Sequence, residues 1–301
     1  MPSLSQLSRD ALPGIRAQML ERAKERFDTV PLLGVDFSEQ RISGSDDDTE
    51  VRALIYKPSS PGSVLPALLH FHGGGLVFGS PEGRHAVSVE LARMLRCLVL
   101  SVDYRLAPET AYPGAIEDGY SALRWLNENA QQLNIDRQRV TVIGESAGGG
   151  LAAALAILAR DRGEYSLASQ VLTYPMLDDR PSTTQDYPTI GQHVWTRQNN
   201  QFGWSSYLGT MFDSELVPAS AAPARSCNMT SLPPAYIACG DRDLFVVESM
   251  AYARALIHSG VAVELRIYPG AFHGFDLIEN ASISKRFTSD LRHAIARALD
   301  G

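Results

Sequence analysis

The residues from Gly144 to Gly148 read Gly-Glu-Ser-Ala-Gly and directly follow an apolar, β-branched run at 139–144. An alanine-rich helical pattern at 147–160 comes immediately after them. A serine flanked by glycines between a strand and a helix is typical of a sharp turn that presents its hydroxyl at the helix N-terminus. There, free N–H groups and the helix dipole favour developing negative charge. The spacing therefore predicts that Ser146 is a nucleophile.

A serine hydroxyl needs a base that removes its proton and a carboxylate that orients the base. When the nucleophile lies on such a strand–helix turn, the acid and then the histidine follow it in the chain. His273 is the best candidate for the base, because it follows a strand pattern in the loop Pro-Gly-Ala-Phe-His-Gly-Phe. The other histidines after the serine lie in a segment rich in Pro, Gly and aromatics or inside helical patterns: His193, His258 and His293.

The acid has two candidates, Asp241 and Asp243, which both follow the strand pattern at 234–240. Either carboxylate could reach the imidazole of His273, and position along the chain does not choose between them. We expect the other aspartate to be a surface or helix-capping residue.

Three glycines end the run His-Gly-Gly-Gly at 72–75, which follows a strand pattern at 66–72. Consecutive glycines let the backbone approach a substrate oxygen and expose N–H groups that no side chain shields. Together with the amide of Ala147, such donors are suited to the oxyanion of acyl transfer. A phosphate-binding loop is disfavoured, because the run lacks the Lys-Ser/Thr of a P-loop and the Gly-x-Gly-x-x-Gly spacing.

Short apolar strand patterns alternate with helical patterns from about residue 50 onward. This alternation predicts an α/β fold with a mostly parallel central sheet flanked by helices. The expected strands are 51–58, 66–72, 97–105, 139–144, 170–175, 234–240 and 262–270, and the expected helices are 85–95, 118–133, 147–160, 248–260 and 284–299.

Two stretches interrupt the alternation. Residues 1–45 read as a helix followed by an irregular polar segment, and residues 178–212 are rich in Pro, Gly and aromatics. Insertions beyond the carboxyl end of a strand commonly form substrate pockets in α/β enzymes. We therefore expect an N-terminal part of a cap at 1–45, core at 46–177, a cap insertion at 178–212 and core at 213–301. The insertion supplies aromatic candidates for a pocket lining: Trp195, Phe202, Trp204 and Tyr207.

The composition excludes several classes of protein. The 301 residues are 45% hydrophobic and 20% charged, which argues against a disordered chain. The formal charge is −7, with no dense Lys/Arg run, which argues against a nucleic-acid partner. The longest apolar stretch, 151–159, is far too short to span a membrane, and we expect neither a membrane partner nor a metal or organic cofactor.

The expected location is the cytoplasm. The first twenty residues show no basic segment followed by an apolar one, as a secretory signal peptide would. The three cysteines are too few for a disulfide framework and form no Cys-x-x-Cys pair: Cys97, Cys227 and Cys239.

Five motifs together resemble the hormone-sensitive-lipase-like (bacterial family IV) carboxylesterases of the α/β-hydrolase fold. They are HGGG at 72–75, DYRLAPE at 103–109, GESAG at 144–148, YPMLD at 174–178 and HGF at 273–275. Their order and spacing match over essentially residues 50–300. The resemblance implies an α/β-hydrolase core with a helical cap and a serine carboxylesterase activity. Homodimers formed through an edge strand are common in such families, and the oligomeric state stays open.

The resemblance also assigns site residues. The stretch 243–248 matches the family's D-P-L-x-D-E segment, although without its proline, and this selects Asp243 as the acid. The family's oxyanion donors correspond to Gly74, Gly75 and Ala147. The chain departs from the usual pattern in having Glu145 before the serine and Leu76 where an aromatic commonly follows HGGG. Leu76 therefore joins the candidates for the pocket lining, and Arg105 and Glu109 are expected to fasten a loop.

The hypothesis that follows is a serine carboxylesterase acting on a small-molecule ester with a short to medium acyl chain. Ser146 attacks the carbonyl, His273 transfers the proton and Asp243 orients the imidazole. The alternatives are an amidase or peptidase on the same fold, a non-catalytic receptor for a small ligand, and an interaction protein with a degenerate pocket.

Overall fold

A computed structural model describes residues 7–46, 49–60, 62–180 and 189–300. Within these ranges lie eight strands and eight α-helices. The strands are β1 (Val35–Ser43), β2 (Glu50–Pro58), β3 (Leu65–Phe71), β4 (Leu98–Asp103), β5 (Ile135–Glu145), β6 (Ser169–Thr173), β7 (Ala235–Gly240) and β8 (Val263–Tyr268). The helices are α1 (Leu12–Phe27), α2 (His85–Leu95), α3 (Gly114–Glu128), α4 (Ala130–Leu133), α5 (Ala147–Arg162), α6 (Arg197–Leu208), α7 (Val246–His258) and α8 (Ser282–Asp300).

All eight strands form a single sheet in the order β1-β2-β4-β3-β5-β6-β7-β8. Strand β2 runs antiparallel to both of its neighbours, and the pairs from β4 to β8 are parallel. The strands inside the sheet are largely buried, and every residue of β3 and of β7 is buried. Such continuous burial is what a parallel sheet covered on both faces requires. The predicted α/β fold is confirmed.

Helices cover the two faces of the sheet. An added Cβ at Gly119 of α3 would meet the ring of Phe71 at 2.7 Å. Thr141 of β5 pairs in register with Leu68 of β3, and the hydroxyl of Thr141 donates to the carbonyl of Ala298 in α8 at 3.2 Å. Leu68 lies three positions before Phe71, and side chains alternate along a strand, so these two residues point to opposite faces. Helices α3 and α8 therefore lie on opposite faces of the sheet.

The range 1–45 contains a strand that the sequence did not predict. Strand β1 pairs antiparallel with β2 and is the first strand of the sheet. It was missed because its sequence is mostly polar and only Val35 and Ile42 are buried in it. The sheet therefore begins inside the range that we expected to belong to the cap. Residues 1–6 and 181–188, which fall in the two expected cap segments, lie outside the described residues.

The carboxyl edge of the parallel strands gathers the motifs. The glycine run follows β3, Ser146 follows β5, Asp243 comes three residues after β7, and His273 lies in the loop after β8. In open α/β sheets this edge is where ligands bind. The topology thus brings together residues that are separated by up to two hundred positions in the chain.

Candidate active site

Ser146 lies on the sharp turn between β5 and α5. Its backbone has φ 57° and ψ −120°, a conformation that is costly for a residue with a side chain. Strand and helix approach closely at Gly144, where an added Cβ would lie 2.2 Å from the carbonyl oxygen of Gly148. The amide of Ser146 donates to the carbonyl of Thr173 at 2.9 Å, which ties the turn to β6. The strained geometry therefore holds the hydroxyl at the N-terminus of α5.

The hydroxyl of Ser146 is the end of a buried chain of hydrogen bonds. Its Oγ lies 2.9 Å from Nε2 of His273. On the other side of the ring, Nδ1 lies 2.9 Å from Oδ2 and 3.1 Å from Oδ1 of Asp243. Asp243 is completely buried, and the serine and the histidine are each 6% exposed. An arrangement of this kind can take a proton from the serine and stabilise the resulting imidazolium.

The two aspartates that the sequence could not separate have different surroundings. Asp243 contacts the imidazole, and its Oδ1 also accepts a hydrogen bond from the amide of Phe245 at 3.0 Å. Asp241 is exposed and accepts from the amide of Gly270 at 2.7 Å, which joins the loops after β7 and β8. The structure thus brings Asp243, not Asp241, to His273.

The remaining candidate histidines lie outside this chain of hydrogen bonds. His193 packs edge-on against the ring of Phe272, with centroids 5.4 Å apart. His258 is the last residue of α7, and His293 lies within α8.

The glycine run lies against the serine turn. An added Cβ at Gly73 would lie 3.5 Å from the Cβ of Ser146. Gly75 has φ 59°, and an added Cβ there would lie 2.0 Å from the indole of Trp195, so that only glycine fits between this loop and the ring. In the described part of the chain, the amides of Gly74, Gly75 and Ala147 have no hydrogen-bond partner. These N–H groups are available to an oxygen atom placed beside Ser146.

Comparison with known proteins identifies the family of this chain. The family described as "alpha/beta hydrolase fold" matches residues 68–277. The chain belongs to the α/β-hydrolase family.

This hydrolase is similar to several esterases over most of its length. Carboxylesterase NlhH of Mycobacterium tuberculosis is 36% identical over 242 residues, which are 79% of this chain and 75% of that protein. The ethyl acetate hydrolase of Pseudomonas putida is 36% identical over 287 residues, covering 86% of this chain and 89% of that protein. Among solved structures, a bacterial heroin esterase has a TM-score of 0.92 at 38% identity, with 96% of this chain and 92% of that chain covered.

The predicted identity as a hormone-sensitive-lipase-like carboxylesterase is therefore confirmed. The hydrolase is a carboxylic ester hydrolase, which decides against the receptor and interaction-protein alternatives.

A cavity of about 240 Å³ opens above Ser146 and His273. Part of its wall comes from one face of α1, which carries Arg16, Met19, Leu20 and Ala23 at helical spacing. Arg16 fixes this helix to the loops after β3 and β4, because its guanidinium donates to the carbonyls of Val77 and Ala107, each at 2.7 Å. Sequence reasoning assigned residues 1–45 to a cap but did not identify these wall residues. The spacing of the apolar residues Met19, Leu20 and Ala23 (i, i+1, i+4) was the sequence signal that could have identified this face of α1.

Only one of the five pocket candidates lines this cavity. Trp195 does so, from the segment before α6, and its indole N–H donates to Asn200 at 3.2 Å. The cavity wall does not include Leu76, Phe202, Trp204 or Tyr207.

Those four side chains pack into the protein interior instead. Leu76 is buried, and its carbonyl accepts from the amide of Ala107 at 2.9 Å. Trp204 and Tyr207 lie on the buried face of α6, and Tyr207 packs edge-on against Tyr112 at 5.9 Å. Phe202 is half-buried against the core. Their role as pocket residues was expected from their aromatic character, which also suits a helix that must cover apolar surface.

A second carboxylate lies next to Ser146. Glu145 is buried, and it contacts Arg84 Nη2 at 2.6 Å and His70 Nε2 at 3.1 Å. Burial alone would raise the pKa of Glu145, but the charge of Arg84 and the contact with His70 lower it to about 2. Nδ1 of His70 in turn lies 2.7 Å from the hydroxyl of Ser101. Glu145 is therefore an ionised buried group that directly precedes Ser146.

Tyr174 connects this region to the loop that carries His273. Its hydroxyl donates to Oδ1 of Asp276 at 2.7 Å, and Asp276 lies three residues after His273. Burial, followed by the negative charge of Asp276, raises the pKa of Tyr174, so that the hydroxyl stays protonated and acts as the hydrogen-bond donor to Asp276. Sequence reasoning identified neither this contact nor the pairing of Arg84.

Three further observations concern metal sites, membrane-spanning helices and cysteines. Over the described ranges, no cluster of three or more His, Cys, Asp and Glu side chains is placed to hold a metal ion. No helix within those ranges combines the length and apolar character needed to cross a membrane. All three cysteines are free, with Cys97 and Cys239 buried and Cys227 exposed.

Proposed function

We propose that this carboxylesterase hydrolyses its substrates through a triad of Ser146, His273 and Asp243 and a covalent acyl-enzyme. The observation that carries the proposal is the buried chain of hydrogen bonds from Ser146 Oγ through the imidazole to Asp243, with 2.9 Å at each step. Ser146 attacks the ester carbonyl carbon as Nε2 of His273 takes its proton. The imidazolium then protonates the leaving alcohol as the C–O bond breaks.

Water completes the cycle. It enters in place of the alcohol, loses a proton to His273 and attacks the acyl carbon. The bond to Ser146 breaks, the serine regains its proton from the imidazolium, and the carboxylic acid leaves. In both half-reactions Asp243 holds the imidazole in one tautomer and stabilises its charged form.

Gly74, Gly75 and Ala147 supply the proposed oxyanion donors. The support is their position beside Ser146, at the glycine run and the first turn of α5, together with amides that have no partner in the described residues. Donors of this type lower the barrier to acyl transfer by about 3 kcal/mol each. The dipole of α5 points its positive end at the same place.

The proposed substrates are esters with short to medium acyl chains. The cavity of about 240 Å³ is smaller than most ligand pockets, and the acyl and alcohol groups must share it. The name of the similar ethyl acetate hydrolase describes an ester with a two-carbon acyl group, which agrees with a small cavity. We propose that α1 and the segment around α6 form the cap, since Met19, Leu20 and Trp195 enclose the cavity.

Covalent labelling tests the mechanism directly. An organophosphate should modify the folded wild-type protein once, at Ser146, and should leave the Ser146→Ala variant unlabelled. Ser146→Ala and His273→Ala should each lose several orders of magnitude in turnover while keeping the wild-type thermal unfolding. Labelling at another residue, or none, overturns the proposal.

A substrate series tests the chain length. Nitrophenyl esters with two to sixteen carbons should give the highest kcat/KM among the shorter members. The matching anilides should react far more slowly, and comparable rates would indicate an amidase. A maximum at the longest chains would contradict the cavity size.

A further inference from the structure

Arg84 lies between two carboxylates that flank the proposed triad. Its Nη2 contacts Glu145 at 2.6 Å, and its Nη1 lies 3.7 Å from Oδ2 of Asp276. Glu145 directly precedes Ser146, and Asp276 follows His273 by three residues. The three side chains are only 19%, 12% and 9% exposed. One guanidinium thus spans the turn that carries the nucleophile and the loop that carries the base.

The charges of Arg84 and of the nearby carboxylates set the electrostatic surroundings of the imidazole of His273. The proposed triad contains one carboxylate, Asp243, and two more lie beside it, Glu145 and Asp276, both of which Arg84 contacts. Negative charge that no cation offsets would favour the protonated imidazolium, which cannot act as a base, and would oppose the oxyanion. A buried carboxylate also needs a partner to stay ionised. Arg84 meets both requirements at once.

We propose that Arg84 is a positioning residue of the esterase, which clamps the nucleophile turn to the base loop and offsets the negative charge of Glu145 and Asp276 beside the imidazole. This inference rests on the proposed triad. It assigns to Arg84 a role in the reaction through Glu145 and Asp276, without contact with the reacting atoms.

Several other titratable or charged groups lie near the imidazole, and none of them is a cation that pairs with both Glu145 and Asp276. They are Asp243 from the loop after β7, Ser146 and Glu145 from the end of β5, Tyr174 after β6, Asp276 from its own loop, and His72 and Arg16, which line the same cavity. Arg16 is held by Glu109, and His72 is buried with its pKa lowered, first of all by that burial. In the described part of the chain, Arg84 is thus the cation that contacts both flanking carboxylates.

The test is the pH dependence of kcat/KM for a short nitrophenyl ester, whose acidic limb reports protonation of the base. Arg84→Met fills a similar volume without charge and should move the midpoint of this limb up by about one pH unit. Glu145→Gln leaves Arg84 in place and should move it down by a similar amount. In the double variant that combines Arg84→Met with Glu145→Gln, the midpoint should return close to the wild-type value. A role confined to folding would not move the limb in opposite directions.

The plateau rate gives a second readout. Arg84→Met should lower the plateau kcat/KM by about 10- to 100-fold through loss of positioning. Arg84→Lys keeps the charge and should hold the midpoint near wild type, although one ammonium cannot reach both carboxylates in the same way. If Arg84→Met does not fold, Glu145→Gln and Asp276→Asn decide the question, since each should lower the midpoint.

Arg105→Met is the matched control. Arg105 pairs with the buried Asp118 at 2.7 Å and does not line the cavity, so this variant should lose stability without moving the limb. An active wild type whose midpoint is the same in Arg84→Met, Glu145→Gln and Asp276→Asn overturns the inference and leaves the triad standing. A wild type that hydrolyses no ester and takes no label at Ser146 overturns both.

Discussion

The phenol ring of Tyr174 packs edge-on against the imidazole of His273, with centroids 4.8 Å apart and planes inclined by 64°. Phe245 makes a second edge contact with the same imidazole at 5.2 Å. The hydroxyl of Tyr174 meanwhile donates to Asp276 on the loop that carries His273. The imidazole of His273 is therefore held by aromatic packing as well as by Asp243, and Tyr174 also fixes the loop that carries it.

Tyr174→Phe should lower kcat by about three- to tenfold, because the hydrogen bond to Asp276 is lost but the ring that packs on His273 remains. Tyr174→Ala removes both and should cost about 100-fold or more. Both are measured as kcat on a short nitrophenyl ester. Tyr252→Phe is a matched control, because this buried hydroxyl has no partner among the described residues, and it should behave as wild type. Equal losses for Phe and Ala at position 174 would rule out the role of the ring.

Asp243→Asn should lower turnover by about four orders of magnitude, since an amide in its place supports the wrong tautomer of His273. Asp241→Asn should change turnover less than about threefold, because Asp241 is exposed and an amide oxygen can still accept from Gly270. The two single variants are compared by kcat on the same ester at the same pH. Similar losses for both would reopen the assignment of the acid.

Trp195→Ala should move the preference of the enzyme towards longer acyl chains, because this indole is a wall of the small cavity. The profile of kcat/KM over nitrophenyl esters measures the change. Trp204→Ala removes an indole that is buried on α6 away from the cavity. It should cost about 3–5 kcal/mol in the free energy of unfolding and leave the order of preference unchanged. A changed order of preference in Trp204→Ala together with an unchanged one in Trp195→Ala would mean that Trp204, as the sequence predicted, forms the pocket.

Much of the fold was predictable because most of its strands contain short apolar runs. Each of the strands β2 to β8 overlaps a predicted strand, although β8 alternates apolar and charged residues, and site residues follow four of them. Since the carboxyl ends of parallel strands meet at one edge, the sequence order was enough to expect Ser146, His273 and one of the two aspartates, Asp241 or Asp243, near one another. The choice of Asp243 came from the family resemblance.

Other features left no local pattern. Strand β1 is polar and is paired on one side only, so neither hydrophobic alternation nor burial marks it in the sequence. The pairing of Arg84 with Glu145 joins residues 61 positions apart, and it depends on how the turn before α2 meets the end of β5. The orientation of α6 decides which aromatics face the cavity, and its buried face could be read only from the packed structure.

Glu145→Gln should reduce the amount by which the free energy of unfolding falls at acidic pH. The folded-state pKa of Glu145 is about 2, below the ordinary value of 4.5, so the unfolded chain takes up the proton first as the pH falls. The stabilisation from the ionised carboxylate is complete above about pH 4.5 and is lost as the pH falls towards 2. It amounts to about 3 kcal/mol. Urea unfolding at a series of pH values should therefore show wild type losing about that much more than Glu145→Gln between pH 5 and pH 2. Glu109→Gln, which alters an exposed ion pair with Arg16, should follow wild type. Parallel curves for wild type and Glu145→Gln would show that Glu145 is not held ionised by Arg84 and His70.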